Sequence, residues 1–461
     1  MRKPTRLEHR GVAKLTAPSD LGDGLLARMR ADVVIVTALS EEYDAARDVA
    51  LASTAPDVGV TEWRSVDADI HFLAGNYRTP DGATFSVALA RPTRMGGRSA
   101  APVATKLVDL LRPICLAMSG VCAGNPDELA PGDVVVADLV YEYDEGMLEG
   151  GAFDGDHQQY PQDVRWLREA QEFSPESLPS FGSVAGDAII WFLERLHRGQ
   201  DPRTHPARKR YFPRGTWKPR LQQLELDGFI RRVGAGWALT GQGSAKIQRV
   251  LYDDVDGPDR LPFEVVTGPI ASGTTVIRDP EIWGRLKRMG ARKIAALELE
   301  AATIATVAHG LHVPHWLVAK GVMDHADFGK DDRYKEFAAR ASAEVLYGLL
   351  ARLIPAYRIA SATTVEFALP YAHEPAPSPL LAGEFPGRVK LEIIRRLSRD
   401  WQDLADIVGV PHFVKVRFRR GNEPRELWEW LESRGRLAEL LEALGEIGRD
   451  DLTRLIQPSL E

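Results

Sequence analysis

The fold is decided by residues 293–327, which read KIAALELEAATIATVAHGLHVPHWLVAKGVMDHAD. Two short apolar runs, at 294–297 and 315–321, enclose a helical pattern. We predict that this helix ends at Gly310, because glycine is the residue that most readily adopts a left-handed C-terminal conformation. A strand, a helix and a second strand this close together predict two neighbouring parallel strands joined by a right-handed crossover.

Two carboxylates follow these predicted strands. Glu300 comes just after the first strand, and Asp324 comes just after the second. In open α/β sheets, ligands bind at the edge formed by the carboxyl ends of the strands. Each carboxylate also has a purely structural interpretation, because acidic residues at a helix start interact with the helix dipole and aspartates often cap helices. Their occurrence together in one unit favours a site.

The same stretch resembles the end of the catalytic domain of the nucleoside phosphorylase/nucleosidase superfamily. In that family a glutamate in an E-x-E-A context holds the ribose hydroxyls, and an aspartate after the next strand serves the purine N7. The resemblance gives these roles to Glu300 and Asp324, with Glu298 as a support. It covers residues 31–155 and 256–355 and implies an α/β fold, with a mixed sheet and flanking helices.

A third carboxylate lies near the start of this domain. The buried-strand pattern ADVVIVT at 31–37 leads into a helix whose first turn holds Glu41 and Glu42, where acidic residues also complement the helix dipole. In the nucleosidase branch of the family, a glutamate at the position of Glu42 activates the attacking water. Phosphorylases carry an arginine-containing phosphate loop at this point, which this chain lacks, and Met118 replaces a second phosphate-binding arginine. The resemblance therefore implies hydrolysis rather than phosphorolysis.

Two loops resemble substrate-binding segments of the family. The sequence SGVCAG at 119–124 resembles the small-residue loop whose backbone approaches base and sugar, and glycines there allow a close approach. The sequence GPIASG at 268–273 resembles the base-binding loop, with apolar residues just after it where family members pack the purine. The candidate binding residues from these segments are Gly120, Cys122, Gly124, Ser272, Val276 and Ile277.

A third loop, RPTRMGGR at 91–98, carries three arginines before a helix. Its first interpretation is a solvated surface. Its second is a clamp for ribose-linked phosphates, because the guanidinium group matches phosphate geometry and helix N-termini after glycine turns favour anions. The second interpretation predicts a nucleotide substrate, with Arg94 as the residue to test.

Residues 156–255 interrupt the α/β pattern. Within them, a helix, two short strands about a Gly-Ala-Gly turn and another helix resemble a winged helix. Residues 187–250 hold 13 Lys and Arg against 5 Asp and Glu, a net charge of +8 in a chain of net charge −7. Such a basic surface fits nucleic acid, whereas winged helices also serve as protein contacts, and both partners stay open.

The C-terminal part reads as a separate helical module. Residues 359–387 include the Pro- and Ala-rich YAHEPAPSPLLAGEFPG and are predicted to be a linker. Residues 388–461 show apolar positions at helical spacing. The sequence WEWLESRGRLAELLEALGEIGRDDL resembles the death-like, effector-associated domains of bacterial conflict systems, which recruit an effector to a partner carrying the same kind of domain. The alternative is a generic bundle that only supports the enzyme.

Composition limits the remaining choices. At 461 residues, the chain is expected to form two to four domains. Residues 1–30 are predicted to be an extension, and they lack the apolar core of a secretory signal. No apolar run approaches the ~20 residues of a membrane span. Two cysteines provide neither a disulfide framework nor a metal quartet, so we expect a cytoplasmic protein without a membrane association.

These features together predict a purine nucleoside or nucleotide N-glycosidase. Its substrate would be hydrolysed to the free base, and the chemistry requires no metal or organic cofactor. We expect a homo-oligomer that acts as an effector in a bacterial antiphage or conflict system and is recruited through its C-terminal domain. The alternative is a nucleotide-binding sensor without turnover, or a regulator that binds nucleic acid through the basic insertion.

Overall fold

The structure is a computed structural model. It describes residues 29–51, 58–150, 152–182, 187–253, 257–289, 293–327, 332–362, 387–397, 400–410, 415, 418, 422–432 and 436–456. The chain divides into two compact units, 1–365 and 366–461. Almost all of the predicted N-terminal extension and of the predicted linker lies outside the described residues.

The first unit is built on a mixed sheet of 11 strands and two separate two-stranded hairpins. The strands, in chain order, are β1 (Val33–Val36), β2 (Gly59–Val60), β3 (Arg64–Asp67), β4 (His71–Arg78), β5 (Thr84–Ala90), β6 (Cys115–Gly124), β7 (Val134–Glu142), β8 (Gly146–Glu149), β9 (Ala152–Gly155), β10 (Tyr160–Pro161), β11 (Ile230–Val233), β12 (Gly236–Leu239), β13 (Val265–Ser272), β14 (Ala296–Glu298) and β15 (His315–Asp324).

Five of these strands pair in a closed circuit, in the order β6, β15, β7, β13, β14 and back to β6. Strand β15 runs parallel to β6, whereas β14 runs antiparallel to it. The prediction that β14 and β15 are parallel neighbours is therefore wrong. Because the sheet closes on itself, β6 lies between the two strands, and the intervening helix crosses over it.

Helices cover both faces of the open part of the sheet, as the sequence pattern predicted. They are α1 (Ser40–Leu51), α2 (Gly97–Leu111), α3 (Val164–Gln171), α4 (Asp187–His197), α5 (Arg208–Tyr211), α6 (Trp217–Leu226), α7 (Gly241–Asp253), α8 (Glu281–Arg288), α9 (Ala301–Gly310) and α10 (Lys335–Ala362). Strand β1 is fully buried because alternate residues enter two cores. Val33 and Ile35 join a core that α10 helps to build, and Val34 and Val36 join a core that includes α2 and α9.

Helix α9 ends at Gly310 as predicted, but the left-handed residue is a different one. Gly310 is the last helical residue, and the left-handed residue is His312, with φ 55°. The amide of Val313 donates a hydrogen bond to the carbonyl of Ala308 (2.8 Å), and the amide of His312 donates one to the carbonyl of His309 (3.3 Å). This bonding pattern places the left-handed position two residues beyond the helix end, so His312 adopts the conformation expected of Gly310.

The inserted segment forms its own small core. Helices α4, α6 and α7 and the β11–β12 hairpin surround an apolar cluster that includes Phe192, Leu224, Ile230 and Ile247. The predicted order of helix, two strands and helix is confirmed, while its classification as a winged helix stays a prediction. Nine of its thirteen basic residues are exposed.

The stretch before this core belongs to the main sheet. Strand β10 pairs with β7, and Trp166 and Ala170 of α3 join the core that contains β1. The insertion is also fixed to the sheet domain, because Arg210 forms an ion pair with Asp133 and the hydroxyl of Tyr334 donates to Glu194 (2.9 Å). The insertion was predicted to start at residue 156, but β10 and α3 still belong to the sheet domain. The separate core of the insertion starts with α4.

The second unit is helical. Its helices are α11 (Gly387–Leu397), α12 (Trp401–Ile407), α13 (Glu423–Glu432), α14 (Leu440–Glu446) and α15 (Asp450–Ile456). They share one apolar cluster in which Trp428 is buried. Trp430 is half-buried, and the guanidinium of Arg436 lies 5.3 Å from its ring centroid. Among the helices described in both units, none is long and apolar enough to cross a membrane.

Candidate active site

A pocket of about 340 Å³ opens at one end of the closed strand circuit. It gathers side chains from distant parts of the sequence, because the circuit brings the ends of β6, β14 and β15 together with the start of α1. Seven of the predicted site residues line it: Glu42, Cys122, Val276, Ile277, Glu298, Glu300 and Asp324. Glu42, Glu300 and Asp324, which the sequence analysis assigns to one site, thus line the same pocket, and their roles stay predictions.

Glu42 is held by main-chain amides at the start of α1. Its carboxylate accepts hydrogen bonds from the amides of Ala38 (2.8 Å), Leu39 (2.9 Å) and Val121 (2.8 Å), and the residue is 2% exposed. Gly120 makes room for it, since a Cβ atom there would lie 2.5 Å from Oε1 of Glu42. The space that Gly120 leaves is thus filled by the Glu42 carboxylate, and Gly120 is not among the residues that line the pocket. Its predicted role, a close approach of the backbone to base and sugar, stays a prediction.

Glu300 lies between β14 and α9, beside the arginine-rich loop. Its Oε1 accepts a hydrogen bond from the amide of Gly96 (2.6 Å), a residue of the arginine-rich loop, and this contact holds the loop beside the pocket. The pKa of Glu300 is raised from 4.5 to about 7, because burial disfavours the ionised form more than Lys320 favours it, and the charges of Glu298 and Glu42 act in the same direction as burial. Glu300 can thus change its charge near neutral pH.

Glu298 is the most completely bonded acid of the site. It accepts hydrogen bonds from the hydroxyl of Ser272 (2.6 Å) and from the amides of Glu300 (2.9 Å) and Ala301 (3.0 Å). Burial alone would raise the pKa of Glu298, but Lys320 and these hydrogen bonds hold it below its ordinary value. Ser272, predicted to bind the base, instead contacts the carboxylate that stands behind Glu300.

Lys320 is the functional candidate that the sequence interpretation missed. It lies in the middle of β15 opposite Gly120 and is 0% exposed. Its Nζ is 3.0 Å from Oε2 of Glu298 and 3.6 Å from Oε2 of Glu300. Lysines are almost never fully buried without a partner. A lysine within the apolar run HWLVAKGV was therefore a signal that a buried carboxylate lay nearby.

Asp324 is the last residue of β15 and is 7% exposed. Its Oδ1 accepts the amide of Ala326 (2.8 Å), which fixes the carboxylate against the following turn. The neighbouring His325 is buried, and its Nδ1 lies 2.8 Å from the carbonyl oxygen of Gly124. This contact ties the turn to the end of β6, and Asp324 and Ala326 of the turn line the pocket.

Four further predicted residues, Cys122, Gly124, Val276 and Ile277, differ in their relation to the pocket. Burial raises the pKa of the Cys122 thiol, so Cys122 contributes packing rather than a reactive thiolate. Gly124 does not line the pocket, and a Cβ atom there would lie 2.6 Å from a methyl carbon of Val322. Val276 and Ile277 form an apolar wall, of which Val276 is 49% exposed.

The arginine-rich loop reaches the pocket through its backbone. Met95 lines the cavity, whereas Arg91, Arg94 and Arg98 are exposed and are not among the lining residues. The guanidinium of Arg91 lies 5.9 Å from the ring centroid of Tyr43. Arg94 therefore lies on a loop beside the pocket, but its side chain does not line the pocket. Its predicted contact with a phosphate stays a prediction.

The second unit can be assigned to a family. Residues 387–459 match the family model described as Bacterial Death-like domain 3. The C-terminal unit is a bacterial death-like domain. Its five described helices and the single apolar cluster agree with this assignment, and the predicted resemblance of residues 388–461 is confirmed.

Curated relatives match more than half of the chain. The protein y4jS of Sinorhizobium fredii is 25% identical over 266 residues, covering 57% of this chain and 48% of that protein. The ATP nucleosidase Cap17 of Escherichia coli strain KTE188 is 24% identical over 315 residues, covering 68% of this chain and 49% of that protein. The resemblance of the α/β domain to nucleosidases is confirmed. The chain spans about half the length of these relatives.

The chain also has distant similarity to solved structures. The 5′-methylthioadenosine/S-adenosylhomocysteine nucleosidase of Neisseria meningitidis has a TM-score of 0.41 and 16% identity, covering 70% of this chain and 99% of that one. The futalosine hydrolase of Helicobacter pylori has a TM-score of 0.42 and 15% identity, covering 70% of this chain and 97% of that one.

Proposed function

We propose that the α/β domain hydrolyses the N-glycosidic bond of a purine nucleoside or nucleotide and releases the free base. The observation that carries this proposal is the convergence of Glu42, Glu300 and Asp324 on one pocket. Cleavage of such a bond leaves an oxocarbenium-like sugar, so it needs an acid for the leaving base, a base for water and a clamp for the sugar.

Each carboxylate has one role in this reaction. Asp324 donates a proton or hydrogen bond to N7 of the purine, which makes the base a better leaving group. Glu42 orients water beneath the anomeric carbon and accepts its proton. Glu300 accepts hydrogen bonds from the ribose hydroxyls. Glu298 and Lys320 do not react; they fix the position and charge of Glu300 from behind.

Water is the proposed nucleophile. The turn after β1 provides Ala38 and Leu39 amides that bind Glu42, rather than an arginine-containing phosphate loop. Met118, at the position of the second phosphate-binding arginine, is buried within β6 and carries no charge. Hydrolysis therefore fits the residues better than phosphorolysis does.

The death-like domain suggests the biological setting. We infer that it recruits the N-glycosidase to a protein partner with the same kind of domain, so that substrate destruction follows a signal in the bacterial cytoplasm. The match to the ATP nucleosidase Cap17 supports a nucleotide substrate. A role in antiviral defence is part of the same proposal and rests on the death-like domain. A homo-oligomer, and nucleic acid bound to the exposed basic residues of the insertion, are further parts of the proposal.

The deciding experiment measures release of free adenine. Purified protein is incubated with adenosine, AMP and ATP, with and without inorganic phosphate, and the products are separated by chromatography. We expect free adenine and the same free sugar product in both conditions. Ribose-1-phosphate would show phosphorolysis, and binding of ATP without any adenine release would favour the nucleotide sensor instead.

A further inference from the structure

The candidate pocket is strongly acidic. Five carboxylates line it, whereas the cations among its described lining residues are Lys335 and Arg278. Lys320 lies behind the pocket and is already close to Glu298 and Glu300. Because each phosphate brings further negative charge, a nucleotide needs a cation at the point where its 5′ group leaves the sugar.

Lys335 lines this pocket beside the start of α1, where Glu42 is proposed to act at the sugar. It is the first residue of α10, and its Nζ is 2.7 Å from Oε1 of Glu41, the residue next to Glu42. Arg278 follows Val276 and Ile277 and so belongs to the apolar wall proposed for the base. Since the 5′ substituent is attached to the sugar rather than to the base, Lys335 is the better placed of the two cations.

We propose that Lys335 binds the 5′-phosphate of the substrate and makes the site select purine nucleotides over nucleosides. This inference rests on the proposed N-glycosidase function. It assigns phosphate recognition to the start of α10, while Arg91, Arg94 and Arg98 of the neighbouring loop are exposed and do not line the pocket. An ammonium group on a flexible stem can follow phosphates of different chain length as a point charge.

Glu41 sets the strength of this interaction. Its carboxylate is the counter-ion of Lys335, and the pKa of Glu41 falls to about 2, mainly because of the hydrogen bond from Lys335. A bound phosphate shares the ammonium group with Glu41 and is repelled by the Glu41 charge. Removing that charge therefore strengthens nucleotide recognition, whereas removing the lysine weakens it.

The experiment compares kcat/KM for ATP with kcat/KM for adenosine in the full-length protein, at a constant magnesium concentration. The measured quantity is the ratio of the two values. Lys335→Gln should lower this ratio about tenfold or more, as expected for a lost charge-assisted hydrogen bond. Lys335→Arg should keep most of the preference, and Glu41→Gln should raise it.

Lys287→Gln is the matched control. Lys287 is an exposed lysine whose Nζ lies 3.0 Å from Asp127, and it does not line the pocket. Its substitution should leave the ratio unchanged. Added salt should lower the ratio in the unmodified protein and have a smaller effect in Lys335→Gln, because screening acts on the charge that the variant lacks.

Several outcomes overturn the inference. Equal losses on ATP and adenosine would make Lys335 a structural residue, and a lowered ratio in Arg94→Ala but not in Lys335→Gln would move phosphate recognition to the loop. If Lys335→Gln does not fold, an unchanged ratio in Glu41→Gln contradicts the inference. If no substrate releases adenine, the proposed function fails on its own, and calorimetric binding of ATP and adenosine to the same variants decides the role of Lys335.

Discussion

The ammonium nitrogen of Lys320 lies 3.0 Å from Oε2 of Glu298, and the side chains are 0% and 3% exposed. This buried pair is adjacent to Glu300, the residue proposed to bind the ribose. The ammonium nitrogen of Lys320 lies 3.6 Å from Oε2 of Glu300. Glu298 is held in its ionised form by the lysine and by its hydrogen bonds. Glu300, whose pKa is raised to about 7, therefore changes its charge near neutral pH beside a Glu298 that stays ionised.

Removing the buried cation should destabilise the first unit. In Lys320→Met, Glu298 and Glu300 lose their buried counter-ion, and breaking such an interaction typically costs about 3–5 kcal/mol. Urea unfolding measures this loss. The matched control is Lys287→Met, whose exposed ion pair should contribute at most about 1 kcal/mol. Adding Glu298→Gln to Lys320→Met should restore part of the stability, and no recovery would contradict the pairing.

Activity should depend on the ionisation of Glu300. The ribose hydroxyls donate to a carboxylate better than to a carboxylic acid, so kcat/KM should rise as the pH passes through about 7, the value to which the pKa of Glu300 is raised. In Glu300→Gln this rise should disappear while overall activity falls. A rise that persists unchanged in Glu300→Gln would assign the titration to another group.

The raised pKa of Glu300 also affects folding stability, which should fall with rising pH where activity rises. Between pH 4.5, the ordinary pKa of a glutamate, and about 7, the folded protein holds a proton on Glu300 that the unfolded chain releases. The contribution of Glu300 to folding stability therefore decreases as the pH rises through this window. Urea unfolding across this range should show the decrease, and Glu300→Gln should flatten it.

Glu42→Gln tests the water-activating role. Turnover should fall by ~10²-fold or more with substrate binding largely kept, as expected for the loss of a general base. The amide of glutamine retains one oxygen that can accept some of the bonds from Ala38, Leu39 and Val121. Single-turnover kinetics with binding calorimetry separates the two effects. Unchanged turnover would place water activation elsewhere.

Gly120→Ala provides a steric test of the same residue. The added methyl group would lie 2.5 Å from Oε1 of Glu42, so the carboxylate has to move away from its amide donors. We expect turnover to fall about tenfold or more, because small displacements of reacting groups cost much rate. The control is Gly284→Ala in α8, where the nearest atom to the new Cβ is 3.5 Å away. Equal activity of both variants would contradict the proposed position of Glu42.

The death-like domain should be separable from the chemistry. A chain ending at residue 362 retains all of α10 and the residues of the pocket, and the two units have separate apolar cores. We expect it to fold and to keep its N-glycosidase activity in vitro, while toxicity triggered by the partner in cells is lost. Unfolding of the shortened chain would show that the C-terminal domain is structural.

Sequence pattern was sufficient for the local features of this protein. The apolar run 31–37 predicted β1, and the local pattern placed Glu300 and Asp324 just after strands, because strand ends and helix starts are short-range features. Glu42 was distinguished from Glu41 only by the family resemblance. The resemblance of WEWLESRGRLAELLEALGEIGRDDL to death-like domains was likewise contained in one segment, and the family match confirms it.

Only the tertiary structure decided how these parts meet. Closure of the sheet placed β6 between β14 and β15, and it brought Lys320 against Glu298 and Gly120 against Glu42. The raised pKa of Glu300 follows from the same burial. These relationships depend on strand pairing and desolvation between segments far apart in the chain, and local periodicity carries no information about either.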